Sequence, residues 1–329
     1  MTTEMEIWGG RTVPRVGMGC WAIGGRTAND GPSTSYGDVD DAQSRAALRL
    51  GYEMGARVFD TAAGYGAGHS ETLIGEEISK YEDAVIVTKC GFAVNDKDRI
   101  NGPEAVTPEA VRETVEGSRR RLRRDRIDLI LLHLNELPID RAAPVFDTFE
   151  ALVGEGKVAY FGWSTDHVER ARAVADRPGF VAVENDYNLF TPAAELMELV
   201  ESRGWVSICR LPLAMGLLTG KFRPDAQLSP ADVRAQAFPW LRFFKNGQPN
   251  ADYLKRIDPL RDLLQSGGRS LAQGALSWIL ATSPRALPVP GFKTEAQVRD
   301  NLGTLQKGPL EASTVQEISK LLAGFEPVA

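Results

Sequence analysis

The sequence predicts a (β/α)8 barrel with an N-terminal β-hairpin and long loops walling one rim. Three observations lead there: eight short apolar runs along the chain, amphipathic segments between them, and no low-complexity linker. Runs nearly continuous in Val, Ile, Leu or Ala suit strands covered on both faces. Strand–helix alternation implies right-handed crossovers and a parallel sheet. Eight such units in a chain of 329 residues match a closed barrel better than an open sheet. One domain over residues 1–329 is expected.

The opening "MEIWGGRTVPRVGMG" reads as two short strands turning at Gly9-Gly10, a hairpin. The barrel strands are expected at 16–19, 57–60, 84–90, 127–133, 158–164, 180–185, 205–210 and 286–291. Helical patterns cover 39–55, 70–80, 108–124, 143–155, 167–176, 192–203, 252–265 and 270–282. Thr107-Pro108 and Thr191-Pro192 each place Pro at the first helical position behind a Thr cap. The basic run "RRRLRRDR" closes the helix at 108–124, where a helical C-terminus favours cations, and reads as a solvated face. Segments 21–38, 91–106 and 220–251 each follow a strand and precede a helix. In a barrel they stand on one rim, and loops of this length usually serve function.

A net charge of -6 argues against nucleic acid or an anionic membrane surface as partner. No stretch has the ~18 apolar residues of a spanning helix. "MTTEMEIWGG" lacks the basic and apolar regions of a secretion signal, so a cytoplasmic protein is expected. Cys20, Cys90 and Cys209 are too few and scattered for a disulfide framework or a zinc site; reduced thiols and no metal follow. A monomer or weak homo-oligomer is expected.

"FDTAAGYGAGHSE" (59–71) has glycines at alternate positions, yet it is no phosphate loop. A dinucleotide fingerprint would need Gly where His69 stands, and the Gly-Lys-Ser/Thr of a Walker loop is absent. What remains is Asp60 at a strand end, Tyr65 five residues on, and glycines that let the loop turn in. Catalytic residues gather where barrel strands end, and those ends supply Asp60, Lys89 and His133. A phenol, with a pKa near 10, can give a proton to a carbonyl oxygen. A neighbouring ammonium should lower that pKa, and a carboxylate should keep the lysine charged. A histidine can hydrogen-bond the same carbonyl. The four residues fit reduction of an aldehyde or ketone by hydride from a nicotinamide.

With these motifs in place the chain resembles the aldo-keto reductases. "FDTAAGYGAGHSE", "VTKCGF", "LILLH", "YFGWS", "YNLF", "LPLAMGLLTGKF" and "PVPGFKTEAQVRDN" match that family's motifs in order, over roughly 7–302. The resemblance implies a barrel that binds NADPH/NADP+, with NADH possible, extended across its C-terminal rim. It implies Tyr65 as general acid, Lys89 and Asp60 tuning it, and His133 orienting the carbonyl. Gly19, Cys20 and Trp21 match the turn beside nicotinamide and substrate. Ser164 matches a serine that holds the carboxamide, with Thr165 where asparagine is usual. Leu211, Leu213, Gly216, Thr219 and Lys221 match the pyrophosphate segment. Gly291, Phe292, Lys293, Gln297 and Asn301 match the adenosine segment, with Lys293 facing a 2′-phosphate.

Two residues depart from the family pattern. Glu184 stands where Gln usually holds the carboxamide, and Arg210 where an aromatic stacks on the ring. Because both close consecutive strands, they are expected to form an ion pair. Trp21, Tyr36, Phe92, Phe238, Trp240, Phe243 and Phe244 are candidate pocket walls for a small carbonyl substrate. Two other functions fit the same fold: a redox-sensing regulatory subunit that binds NADPH, and a sugar or polyol dehydrogenase working oxidatively.

Overall fold

The computed structural model describes residues 2–29 and 31–325. β1 (Glu4–Glu6) and β2 (Thr12–Pro14) pair antiparallel around a 3-10 turn at Trp8–Gly10, which is the expected hairpin. The chain then runs through β3 (Met18–Gly19), α1 (Asp41–Glu53), β4 (Val58–Asp60), α2 (His69–Glu77) and β5 (Val85–Cys90). An antiparallel excursion, β6 (Phe92–Asn95) and β7 (Ile100–Glu104), occupies the loop before α3 (Pro108–Leu122). Next come β8 (Ile127–Leu132), α4 (Ile139–Gly154), β9 (Val158–Ser164), α5 (Val168–Ala173), β10 (Phe180–Asp186), α6 (Ala194–Arg203) and β11 (Val206–Arg210). The long connection from β11 holds β12 (Phe244–Lys245), β13 (Gln248–Pro249), α7 (Ala251–Ile257), α8 (Arg261–Leu264) and α9 (Leu271–Thr282). β14 (Ala286–Pro288), α10 (Glu295–Lys307) and α11 (Ala312–Leu322) finish it. Among the described residues no helix is long and apolar enough to cross a membrane.

Every run expected as a barrel strand is one, with ends shifted by a few residues. The order β3-β4-β5-β8-β9-β10-β11-β14 is parallel at every step. Gly17 N donates to Pro288 O at 2.9 Å and Gly19 N to Pro290 O at 3.0 Å, joining first strand to last. A Cβ on Gly19 would lie 2.4 Å from Val289 O, so the closing seam requires glycine.

Strand residues alternate between two environments, as the pleat requires. Phe59, Ile86, Ile130, Leu132 and Val183 pack outward in the core shared with α1 to α4. Val58, Val85, Val87, Leu129, Leu131, Ala182, Val206, Ile208 and Leu287 pack with one another and with Met5, Ile7, Trp8 and Val13 of the hairpin. The hairpin therefore plugs one end of the barrel with apolar side chains. Buried Arg15 fastens it, donating to Thr2 O at 2.9 Å and Leu280 O at 3.1 Å. Two residues on from the apolar rungs stand Asp60, Lys89, His133, Glu184 and Arg210. One inward-facing series thus begins apolar at the plug and ends polar at the opposite mouth.

Some local expectations fail. Pro192 does not open a helix: Asn188 and Thr191 pair in a turn, with Thr191 N donating to Asn188 O at 2.9 Å, and α6 starts at Ala194. Thr107 caps α3 as expected, accepting from Ala110 N at 3.2 Å. The last two helices, α10 and α11, were not anticipated.

Candidate active site

The glycines around Tyr65 serve a close crossing of two turns. A Cβ on Gly24 would sit 2.8 Å from the carbonyl carbon of Tyr65. One on Gly66, where φ is +62°, would lie 1.8 Å from Gly24 O. Bare backbone at both positions lets the loop after β4 nest against the turn Trp21–Ile23 after β3. Ser70 Oγ bolts them, donating to Cys20 O at 2.9 Å while accepting from Thr61 Oγ1 at 2.8 Å. Tyr65 is thereby fixed on the wall of a cavity, with Trp21 stacked at 6.0 Å between ring centroids.

Lys89 is fully buried behind it. Its Nζ donates to Asp60 Oδ1 at 2.6 Å, Thr61 O at 2.8 Å and Tyr65 Oη at 3.2 Å, which uses all three hydrogens. His133 stands edge-on to Tyr65, 5.8 Å between centroids, on the same cavity wall. The structure therefore brings the four sequence-predicted residues together. Burial works against the lysine's charge, but Asp60, Glu184 and Tyr65 outweigh it and hold the ammonium up. Burial, then the charge of Glu184, pushes the Asp60 carboxyl up to about 7 against the pull of Lys89. His133 is held well below the usual imidazole range, by burial first and then by Lys89 and Arg210.

The tyrosine departs from expectation in one respect. Lys89 does pull its pKa down, yet burial is the larger effect and the net shift is upward. The phenol thus stays protonated at neutral pH, as a proton donor must.

The expected Glu184–Arg210 ion pair does not form. Register is the reason: Glu184 lies opposite Ile208, and it is Asp186 that lies opposite Arg210. Arg210 Nε donates to Asp186 Oδ1 at 2.7 Å, Nη1 to Ser164 Oγ at 3.0 Å, and Nη2 to Asp166 Oδ2. Arg242 shares Asp186, donating to Oδ2 at 2.6 Å. Glu184 instead lies 3.2 Å from Lys89 Nζ, through an Oε2 that is buried and receives no hydrogen bond.

The cavity has a volume of about 1580 Å³, beyond the ~300–1,000 Å³ of a drug-sized pocket. Of the residues matched to cofactor binding, Gly19, Trp21, Ser164, Glu184, Arg210, Leu211, Leu213, Gly216, Thr219, Lys221, Gly291, Phe292, Lys293, Gln297 and Asn301 line it. Cys20 and Thr165 do not. Each neighbours a lining residue on its strand or turn and faces the other way; Thr165 Oγ1 donates to Asn135 O at 2.8 Å. Gln297 has a second task, since its Oε1 accepts from Lys293 N at 2.6 Å and caps α10 with Thr294. Lys293 Nζ donates to Tyr36 O at 2.8 Å and Asp38 O at 3.1 Å. Tyr36 also bridges to Asp232, so the loops from β3 and β11 meet beyond the end of β14.

Of the expected aromatic walls, Trp21, Tyr36, Phe92 and Trp240 line the cavity. Phe238 instead stacks on Trp240 at 5.4 Å. Phe243 and Phe244 are 1% exposed and belong to the core with Phe190 and Tyr253. Sequence reasoning missed Asp166, Asp186, Arg234, Arg242 and Asn101, all on the cavity wall. Asp186 carried a legible signal, an acidic residue two beyond Glu184 on the same face; Arg234, Arg242 and Asn101 sit on loops whose paths no periodicity reveals.

A barrel closed at one end, with a Tyr–Lys–Asp–His cluster at the open mouth, is a shape that can be compared with known proteins. The chain is 29% identical to the NADH-specific methylglyoxal reductase of Escherichia coli (strain K12), over 94% of this chain and 96% of that one. It superposes on the glycerol dehydrogenase AKR11B4 from Gluconobacter oxydans with a TM-score of 0.81 and 26% identity, covering 99% of this chain and 97% of that one. It has the fold of an aldo-keto reductase from Klebsiella pneumoniae solved in complex with NADPH, with a TM-score of 0.72, 22% identity, and coverage of 98% and 95%. The Aldo/keto reductase family model matches residues 15–323. Since that match takes in every barrel strand and all four clustered residues, the chain belongs to the aldo/keto reductase family.

Proposed function

We propose that this protein is an NADPH-dependent reductase of small aldehydes or ketones, with Tyr65 as general acid, and that it acts as a single domain in the cytoplasm. The observation that carries the reading is the complete use of the Lys89 hydrogens on Asp60, Thr61 and Tyr65 at the wall of a cavity large enough for a dinucleotide and a substrate. The donor set fits such a cofactor. Ser164 is available on the cavity wall for an amide, and Lys221 and Lys293 for phosphate. Both lysines are disfavoured as cations, by burial first; Arg234 adds repulsion. An anion placed there relieves that penalty.

A bound reduced nicotinamide would supply the hydride. The chain supplies the proton and the orientation. Tyr65 Oη gives its proton to the carbonyl oxygen as that oxygen gains charge. Lys89, already hydrogen-bonded to the same Oη, stabilises the phenolate left behind. Asp60 and Thr61 O hold the ammonium in place. His133, neutral at pH 7, can donate one hydrogen bond to the carbonyl oxygen and turn it toward Tyr65.

Tyr65→Phe tests the reading. It should keep NADPH binding, measured by fluorescence titration, and lower carbonyl reduction by roughly 10²–10⁴-fold. A variant with wild-type turnover of methylglyoxal would remove Tyr65 from the mechanism, whereas a wild type that consumes NADPH only in a stoichiometric burst would favour a redox-sensing role. The similarity to a glycerol dehydrogenase supports a second reading, oxidation of a polyol by the same groups in reverse.

A further inference from the structure

The charges around the cluster do not balance. Four carboxylates, Asp60, Asp166, Glu184 and Asp186, face three cations, Lys89, Arg210 and Arg242. Three of the four accept hydrogen bonds: Asp60 from Lys89, Asp166 and Asp186 from Arg210. Glu184 is the exception. It is 1% exposed, it lines the cavity, and its Oε2 has no donor. Lys89, at 3.2 Å, directs its hydrogens elsewhere. A buried carboxylate in this state is costly, and glutamine of the same shape would remove the charge.

We propose that Glu184 sets the redox poise of the bound cofactor, favouring the oxidised, cationic nicotinamide over the reduced, neutral one. The inference rests on the proposed function, because it requires the nicotinamide to occupy this cavity. Its physical basis is simple. The two cofactor forms share their adenosine and phosphate portions, and differ here by one positive charge on the ring. A carboxylate within a few ångströms, in a site of low effective dielectric, discriminates between them strongly. Tighter binding of the oxidised form lowers the potential of the bound couple, which makes the reduced form a stronger hydride donor. It also slows release of the spent cofactor. With a nicotinamide bound there, the same carboxylate would favour positive charge on its ring.

Other charged groups face Glu184 and modulate it. Lys89 and Asp60 lie on neighbouring strands, Tyr65 on the loop between them, and Arg210 on β11 with its partners Asp166 and Asp186; His133 is uncharged. With Asp60 titrating at about 7, the cluster gains its full negative charge as pH rises through neutrality. Discrimination should strengthen in the same direction.

The test measures dissociation constants for NADPH and NADP+ by fluorescence titration and competition, without turnover. At pH 8, Glu184→Gln should raise the ratio Kd(NADP+)/Kd(NADPH) by roughly 10–100-fold, about 30 mV in the bound couple per factor of ten. Glu184→Asp, which keeps the charge, should stay near wild type. In the wild-type protein alone, the ratio should fall between pH 6 and pH 9, an arm that needs no variant to fold. A ratio unchanged within twofold in Glu184→Gln, with both forms bound, overturns the inference and leaves the proposed function standing. A wild-type ratio that ignores pH also overturns it. Failure of wild type to bind either form overturns both.

Discussion

Lys89→Met offers the sharpest test of how the cluster is held together. The ammonium is fully buried between Asp60 at 2.6 Å and Glu184 at 3.2 Å. Deleting it leaves two buried carboxylates side by side, and removing one member of a buried pair costs about 3–5 kcal/mol. The carboxylates can lessen that cost by binding a proton. Asp60 already sits at about 7 with Lys89 beside it, and without the cation it must rise further. A folded pKa raised above the unfolded value gives stability that is complete at low pH and is lost as pH climbs through the folded pKa. At pH 7 the wild-type Asp60 is half protonated, and it loses only about 0.4 kcal/mol more as the proton leaves and its contribution levels off. The variant goes on losing about 1.4 kcal/mol per pH unit. The stability gap should therefore widen by up to about 2.3 kcal/mol between pH 7 and pH 9. Urea unfolding at pH 7, 8 and 9, followed by circular dichroism, measures it. A gap that stays constant across this range would show that Lys89 is not the counter-ion of Asp60 and Glu184.

His133→Gln should change the acid side of the stability curve by removing one of two opposing slopes. The native imidazole resists protonation, so the unfolded chain takes up the proton first below pH 6.5. That is a loss of about 1.4 kcal/mol per unit of falling pH, which the raised Asp60 carboxyl offsets in the wild type. Urea midpoints at pH 5 to 7 should therefore rise toward low pH in the variant relative to wild type, and an unchanged profile would show that His133 is not the source of that loss. Asp186→Asn removes a carboxylate partner from both Arg210 and Arg242 and should cost roughly 1–3 kcal/mol, discounted from a fully buried pair because Arg210 keeps 25% of its side chain exposed. An unchanged thermal midpoint would argue against it. Lys293→Ala should weaken NADPH more than NADH. Some loss common to both is expected because Lys293 also holds Tyr36 O and Asp38 O, and equal losses would assign it to the loops alone.

Much of the fold was legible because barrel strands must be apolar on both faces, which leaves a mark in sequence that loops and shared side chains do not. The four clustered residues were legible for a related reason: each ends a recognisable strand or follows one in a glycine-marked loop. The Glu184–Arg210 error came from treating strand ends as level. In a sheared barrel they are staggered, and the offset that sets Asp186 opposite Arg210 is a property of hydrogen-bond register, invisible until the strands are paired. Gln297 and Thr165 differ again. Each matches a binding motif, and part of its polar group is engaged by a helix end or a neighbouring carbonyl; Gln297 still lines the cavity, whereas Thr165 does not. Phe243 and Phe244 show the limit for loops, where an aromatic can wall a pocket or anchor the segment, and only the path of the backbone decides.

The hairpin plug has a consequence for traffic. With Met5, Ile7, Trp8 and Val13 packed into the far end, the barrel is a blind well, and whatever enters must back out the way it came. On the reading proposed above, a dinucleotide reaching from Glu184 to Lys293 would take the deep berth, and a small carbonyl would dock in front of it and leave as alcohol while the berth was still taken. The order of arrivals and departures would then follow from the single entrance.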